Sequence, residues 1–362
     1  MNTPKPSLTP PLSTKPRRRF WAWLQRHHVA LTLVCASAVI AGIFIVAVTS
    51  LRFSDTPLTF LPKKKPAEKF YSQLTGLEVA DAAALKQPVT AVMIENSPDA
   101  RPQSGLKAAG VVYEAVAEGG ITRFMALYQG DKPQLIGPVR SLRLYYLQWA
   151  TPYQASIAHV GGSGNALSEV RSGRYRDIDQ FFNAGSYWRA RDRYAPHNMY
   201  TSGAKLDELN RAKGYTESVF AGPPRTDGKP AETPNATNIT VSFSSPLYST
   251  AYTYDKASNS YLRSLAGAAH ADREAGRLAP NVVAVIEVSA HGRGDGYEDL
   301  RTTGSGKAHL FQNGTVIAAT WKKASPTSAL EFVDSDQKPI QLQRGQLWVA
   351  AITPGRGSVS WQ

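Results

Sequence analysis

Between Glu95 and His197 the sequence collects the residue types that anion binding and acid–base chemistry require. Arg101, Arg123, Arg140 and Arg143 carry planar guanidinium forks that suit carboxylate or phosphate. Gly161-Gly162-Ser163-Gly164-Asn165 follows an apolar run and opens a helical one. Backbone N–H groups at such a turn, unshielded at the glycines, can cradle an anion. Ser163, Asn165, His197 and Asn198 could add polar contacts to it. A plain strand-to-helix turn with Ser163 as N-cap accounts for the same residues without a ligand. A second chemistry is proton transfer. His159 and His197 with Glu95 or Glu118 could act as acid and base, or a histidine could activate Ser163. The loop lacks the G-x-S-x-G spacing of a nucleophile elbow, the Walker lysine and the dinucleotide fingerprint. No two histidines share helical ligand spacing and there is no H-E-x-x-H, so neither a metal nor a cofactor is expected. Thr303-Gly304-Ser305-Gly306-Lys307 lacks the leading glycine of a phosphate loop and reads as a β-turn.

These residues need a scaffold, and the apolar patterning supplies one. Strands are expected at 89–95, 111–117, 121–129, 134–139 and 154–160. Gly119-Gly120 joins the second and third as a hairpin. Ser141 is placed to cap one helix, a second covers 165–171, and Ser202 caps a third that Gly214 ends. Residues 221–235 are rich in Pro and Gly and mark a boundary. Beyond it strands dominate, at 239–243, 251–254, 282–288, 308–311, 316–321, 329–333 and 347–352, with Asn313-Gly314 as a hairpin turn. The fold class is therefore α/β or α+β: a mixed-sheet α/β domain at 70–220, a linker at 221–237, and a smaller, mainly β domain at 238–362.

The N-terminal part has another character. Val29 to Leu51 is an uncharged apolar run of 23 residues. As a helix it reaches about 34 Å, against a hydrocarbon core of about 30 Å. It reads as a transmembrane helix, with a disordered basic tail at 1–28 and a juxtamembrane linker at 52–69. Arg17, Arg18, Arg19 and Arg26 before it, and the long domain after it, orient the N-terminus to the cytoplasm. The protein is thus expected in the cell membrane, single-pass, with its C-terminal domain extracytoplasmic. Ala36-Ser37-Ala38 resembles a signal cleavage site but lies mid-run, and Cys35 follows Thr32-Leu33-Val34, which is not a lipobox. Cys35 is the one cysteine, so the ectodomain holds no disulfide. Of the +13 net charge, about half falls in the first 60 residues. The remainder suits an anionic neighbour in the envelope, such as lipid or acidic wall polymer. No nucleic-acid motif is present, and nucleic acid is not an expected partner.

Longer motifs carry a resemblance. I-E-N-S-P-x-A-R-P-Q-S-G-L from Ile94, V-Y-E-x-x-A-E-G-G-I-T-R-F from Val112, I-G-P-V-R-S from Ile136 and P-H-N-M-Y-T from Pro196 resemble the YerB-like family of bacterial envelope lipoproteins. In the second half, N-V-V from Asn281, G-S-G from Gly304 and G-T-V-I-A-A-T-W-K-K from Gly314 are similar to the same family. The likeness spans about residues 70–355. It implies a two-domain extracytoplasmic module of undefined activity and brings no catalytic residue with it. The sequence departs from the family in keeping an apolar helix where a lipobox cysteine is expected. It also carries Glu95 where Asp is expected, one methylene longer.

Three functions follow as expectations. The first is a module that binds an anionic envelope component, such as cell-wall polymer or peptidoglycan carboxylates, through the arginines near the Gly161 loop. The second is an envelope hydrolase or transferase using His159, His197 and a carboxylate. The third is a structural partner of another membrane protein.

Overall fold

A computed structural model describes residues 17–52, 68–294 and 297–362. Residues 1–16 of the expected tail and 53–67 of the expected linker lie outside the described residues. The chain divides into two units, residues 1–67 and 68–362. In the first, helix α1 (Arg17–Arg52) contains a span, Phe20–Thr49, that is long and apolar enough to cross a membrane. Its large apolar side chains, Val34, Ile40 and Phe44 among them, are exposed. Residues 17–28, expected in the tail, are helical, since Trp, Ala, Leu, Gln and Arg prolong a helix readily.

The second unit has a mixed α/β first part and a mainly β second part. The first part holds β1 (Thr90–Glu95), β2 (Val111–Glu118), β3 (Ile121–Tyr128), α2 (Leu144–Ala150), β4 (Ser156–Ala158), α3 (Gly164–Val170), β5 (Arg176–Asp177) and α4 (Gly203–Ala212). The second part begins with β6 (Asn238–Ser242), β7 (Thr250–Asp255), β8 (Ser260–Leu265), β9 (Ala268–Ala269) and β10 (Val282–Glu287). It continues with β11 (Gly304–Gln312), β12 (Thr315–Lys323), β13 (Glu331–Val333), β14 (Leu347–Ile352) and β15 (Ser358–Trp361).

One ten-stranded sheet runs through both parts in the order β13-β12-β11-β10-β14-β2-β3-β1-β4-β5. A five-stranded sheet, β9-β8-β7-β6-β15, packs on one of its faces. Alternation along the strands makes both faces apolar. Ala91, Met93, Tyr113 and Met125 meet Tyr146 and Trp149 of α2, while Val92, Ile94, Val112 and Phe124 meet Ile239, Val241 and Tyr252 of the smaller sheet. The Pro/Gly-rich stretch is itself stitched down: Arg225–Thr226 pairs in parallel with Leu342–Gln343, and a Cβ on Gly222 would overlap the Gln73 carbonyl.

The local signals act as their chemistry requires. Gly119 and Gly120 turn the β2–β3 hairpin with φ of 56° and 78°. Ser202 Oγ accepts the Lys205 N–H at 3.3 Å, and Gly214 ends α4 with φ 75°. Other expectations are corrected. Residues 134–139 form no ladder but a series of isolated bridges, Ile136 to Thr201, Gly137 to Ser104 and Val139 to Ile94. Proline at 133 and 138 removes the N–H groups a ladder would use. α2 starts after Arg143, not at Ser141, and has no side-chain cap. Ser163 stands at the N-cap of α3, but its hydroxyl donates to Asn165 Oδ1 instead of capping the backbone. Thr303–Lys307 is not a turn: β11 begins at Gly304 and pairs with β12 from Gly304–Lys323 onward. Gly306 is needed there because the Trp321 indole and the Glu287 carbonyl occupy the space of a Cβ.

Candidate functional site

Six strands of the large sheet, β1, β2, β4, β5, β10 and β14, run in one direction. Their carboxyl ends therefore share one edge, where Glu95, Glu118, His159 and Asp177 stand. Open α/β sheets bind ligands outside this edge. The register adds Arg123, directly across from Glu95 in the β1–β3 pair. A cavity of about 700 Å³ lies at the opposite edge, beside Gly110, Asn281 and Gln346, away from this cluster. Clustered ionisable groups mark candidate sites, so this cluster and not that cavity is the candidate.

Most of the expected ligand-binding residues turn out to be occupied internally. A β-bulge between Val116 and Glu118 re-aims Glu118 toward Arg123 and Arg143, which it holds at 2.6 and 2.5 Å. Arg123 also donates to the Ser141 carbonyl, and Arg143 to that of Leu142. The Arg143 guanidinium lies 4.6 Å from the Tyr297 ring centroid. Burial pushes the Glu118 carboxyl up, but the two guanidinium groups outweigh it and hold the carboxyl below its ordinary range. Arg101 is spent on Asn96 and on the Leu247 carbonyl, over the Tyr248 ring, and burial lowers its pKa.

The Gly161 loop already holds a carboxylate, and it is the chain's own. Asp179 Oδ1 accepts the Gly161 N–H at 3.1 Å, and the Ser163 N–H goes to the Leu142 carbonyl. Gly162 abuts that same carbonyl and offers no room for a side chain. Asn165 receives Ser163 and the Ala166 N–H and donates to Asp299. His159 is fully buried, with Nδ1 on the Gly161 carbonyl at 2.8 Å and Nε2 on Asp177 at 3.0 Å. Both of its ring nitrogens are taken, so it orders the loop. Asn198 braces the turn before it, donating to Ala190 and Arg193 carbonyls and accepting from Arg189.

A smaller constellation remains at the end of β1. Glu95 Oε1 receives Ser97 Oγ at 2.8 Å and meets His197 Nδ1 at 2.9 Å, and Arg140 Nε stands 3.2 Å away as an ion pair without hydrogen-bond geometry. Glu95 Oε2 is buried without a hydrogen bond among the described residues. Ser97 also lies 3.1 Å from His197 Nδ1, so serine and carboxylate share one ring nitrogen and do not form a relay through the imidazole. His197 Nε2 is left 3.9 Å from the exposed Asp99. The side chains of Arg140 and His197 are 26% and 22% exposed, which makes them the reachable pair. His197 and His159 belong to separate networks and share no partner. Among the described residues no three His, Cys, Asp or Glu gather as a metal site.

Sequence reasoning missed Ser97, Asp177 and Asp179. It also missed a buried polar network on the other face of the sheet. There Glu114 pairs with Arg263 at 2.6 Å, His270 donates to Gln103, and Gln103 donates to Asn96 and to the Glu95 carbonyl. One signal was available: Glu114 interrupts the apolar phase of Val-Val-Tyr-Glu-Ala-Val-Ala, where a buried charge needs a partner.

A family model described as "Protein of unknown function (DUF3048) N-terminal domain" matches residues 74–216, and the corresponding C-terminal domain model matches 239–349. The chain is 35% identical over 305 residues to "Putative lipoprotein YerB" of Bacillus subtilis, covering 80% of this chain and 91% of that protein. The crystal structure of YerB protein from Bacillus subtilis aligns with a TM-score of 0.73 at 32% identity, covering 81% of this chain and 100% of that one. The motifs, both domain models and the shared fold agree: this chain belongs to the YerB-like, DUF3048 family.

Proposed function

We propose that this protein is a single-pass, membrane-anchored module of the cell envelope that binds an anionic component, such as wall polymer or peptidoglycan carboxylates, at Arg140 and His197. The N-terminus is cytoplasmic and residues 68–362 face outward. The carrying observation is that Arg140 alone of the four arginines keeps its terminal nitrogens free of hydrogen bonds among the described residues, at the strand edge where such folds bind ligands. A guanidinium so placed offers two parallel donors to a carboxylate or phosphate. The exposed apolar side chains of α1 and the lipoprotein name of the relative support the anchored location. In this chain the helix takes the place of a lipid tether.

The full chain in detergent, sedimented with purified wall material, should be retained at low salt and released as ionic strength rises. Arg140→Ala should lower retention about tenfold, the loss of one charge-assisted bidentate contact. Retention equal to that of the parent refutes the reading.

One observation favours a second reading. Buried Glu95 on Nδ1 of His197 fixes the ring with Nε2 outward, as a general acid–base pair needs. On that reading the protein releases soluble fragments from wall material, and His197→Gln cuts release by roughly 100-fold or more. A parent protein that releases none rules it out.

A further inference from the structure

A second cavity, of about 310 Å³, opens beyond the edge strand β5 and shares Asp177 with the strand edge described above. Arg171 at the end of α3, Tyr175, Phe182, Asn183, and Lys213 and Tyr215 beyond α4 line it. Three aromatic rings and two cations around one small hollow are an unusual concentration for a strand edge. Phe182 is 69% exposed, a poor position for a large apolar ring unless something covers it.

The turn that carries the ring is nevertheless hydrogen-bonded in place. Asp179 caps the short turn that carries it, accepting the Phe181 N–H, while Phe182 N and Asn183 Nδ2 both donate to the Asp179 carbonyl. The Arg171 guanidinium, tied to Asp179 Oδ2 at 2.9 Å, lies 4.9 Å from the Phe182 ring centroid. An exposed ring fixed by a capped turn and a cation is preorganised for contact, so a ligand that stacks on it meets little ordering cost. Lys213 is exposed at the rim, and its ammonium has no carboxylate partner among the described residues. Arg176 behind Tyr215 bonds only to the Gln154 and Glu217 carbonyls and the Ser218 hydroxyl, so no carboxylate neutralises it. Asp177, also on the lining, is engaged with His159.

We propose that this hollow is a binding site for an acidic sugar residue of a glycan. The apolar face of a pyranose ring lies against Phe182 and Tyr215, and its carboxylate meets Lys213 and the free edge of Arg171. The cavity has the size of a single sugar unit, and the rings and charges match a ligand that is both stacked and anionic. The inference borrows its ligand class from the anionic-envelope reading, but it stands on a different set of side chains.

The test titrates the full chain in detergent with two disaccharides. One contains N-acetylmuramic acid and carries a carboxylate; the other is the neutral dimer of N-acetylglucosamine. The parent should bind the acidic one more tightly. Phe182→Ala should weaken both by about tenfold, the loss of one stacked ring. Lys213→Ala should weaken only the acidic one, by about fivefold, closing the gap between them. Both side chains are exposed, so neither change threatens the fold. If neither variant changes affinity, or the parent binds neither sugar, the pocket is not a glycan site. If the variants match the parent while wall retention still depends on Arg140, this inference fails alone and the anion reading stands.

Discussion

Arg263→Met is expected to lower the unfolding free energy of the 68–362 unit by about 3–5 kcal/mol, because it strands a carboxylate in a dry core. Glu114 and Arg263 are both fully buried and meet at 2.6 Å. The alternation of β2 sends Glu114 inward beside Val112 and Phe124, so it cannot turn to water. It accepts further bonds from Trp348 Nε1 at 3.0 Å and Thr122 Oγ1 at 3.1 Å. Arg263 is held in turn by the Tyr252 hydroxyl and His270 Nδ1, and lies 4.4 Å from the Trp348 ring centroid. Burial, then the neighbouring Arg263, pushes the His270 pKa well down, so its imidazole stays neutral and accepts from the arginine. Denaturant unfolding of both variants measures the effect. Adding Glu114→Gln to Arg263→Met should recover most of the loss, since no charge is then left unpaired. A double variant as weak as the single one would mean that packing, not charge, is what Arg263 supplies.

Glu118→Ala is the second large effect, expected at about 2–3 kcal/mol, discounted because the carboxylate is partly solvated. Its removal leaves Arg123 and Arg143, both nearly buried, facing each other without a counter-charge. The loss should depend on pH. Arg123 and Arg143 depress the folded-state pKa of Glu118 against the opposing push of burial. The pair therefore stabilises fully above the unfolded carboxyl value of about 4.3, and that contribution disappears as pH falls through the depressed folded value. Thermal melts of parent and variant should differ widely at neutral pH and converge in acid. A gap that does not change with pH would show that the ion pair is not its source. The same experiment bears on function, because it tests whether Arg123 and Arg143 are structural and not ligand-bearing.

The scaffold was legible where one local pattern decides the structure. β1, β2, β3, β10 and β14 follow from apolar runs with β-branched residues, and both hairpins from Gly-Gly and Asn-Gly. β8 was not found because Ser-Tyr-Leu-Arg-Ser-Leu mixes polar residues into both phases, and β15 because Ser-Val-Ser-Trp alternates over only four residues. In β8 the inward Arg263 is explained only by Glu114, 149 residues away. The candidate site was legible as a set of residue types and not as an arrangement. Four arginines look alike in sequence, and a one-residue bulge near Ala117 helps decide that two of them face Glu118. The Gly161 loop was visible as an anion-binding turn. That Asp179 fills it depends on β4 and β5 lying side by side in the sheet. The pairing of Glu95 with His197 joins residues 102 positions apart and has no local signature.

Strand β14 lies near the middle of the ten-stranded sheet, parallel to β10 on one side and β2 on the other, yet it follows every other strand of that sheet in sequence. A nascent chain that has reached residue 346 possesses every other strand of that sheet and still has two raw edges, both belonging to strands rich in buried apolar residues. Such edges recruit strands from other molecules. Closure of this sheet therefore waits for β14, and a chain made only as far as residue 346 is expected to associate through those open edges.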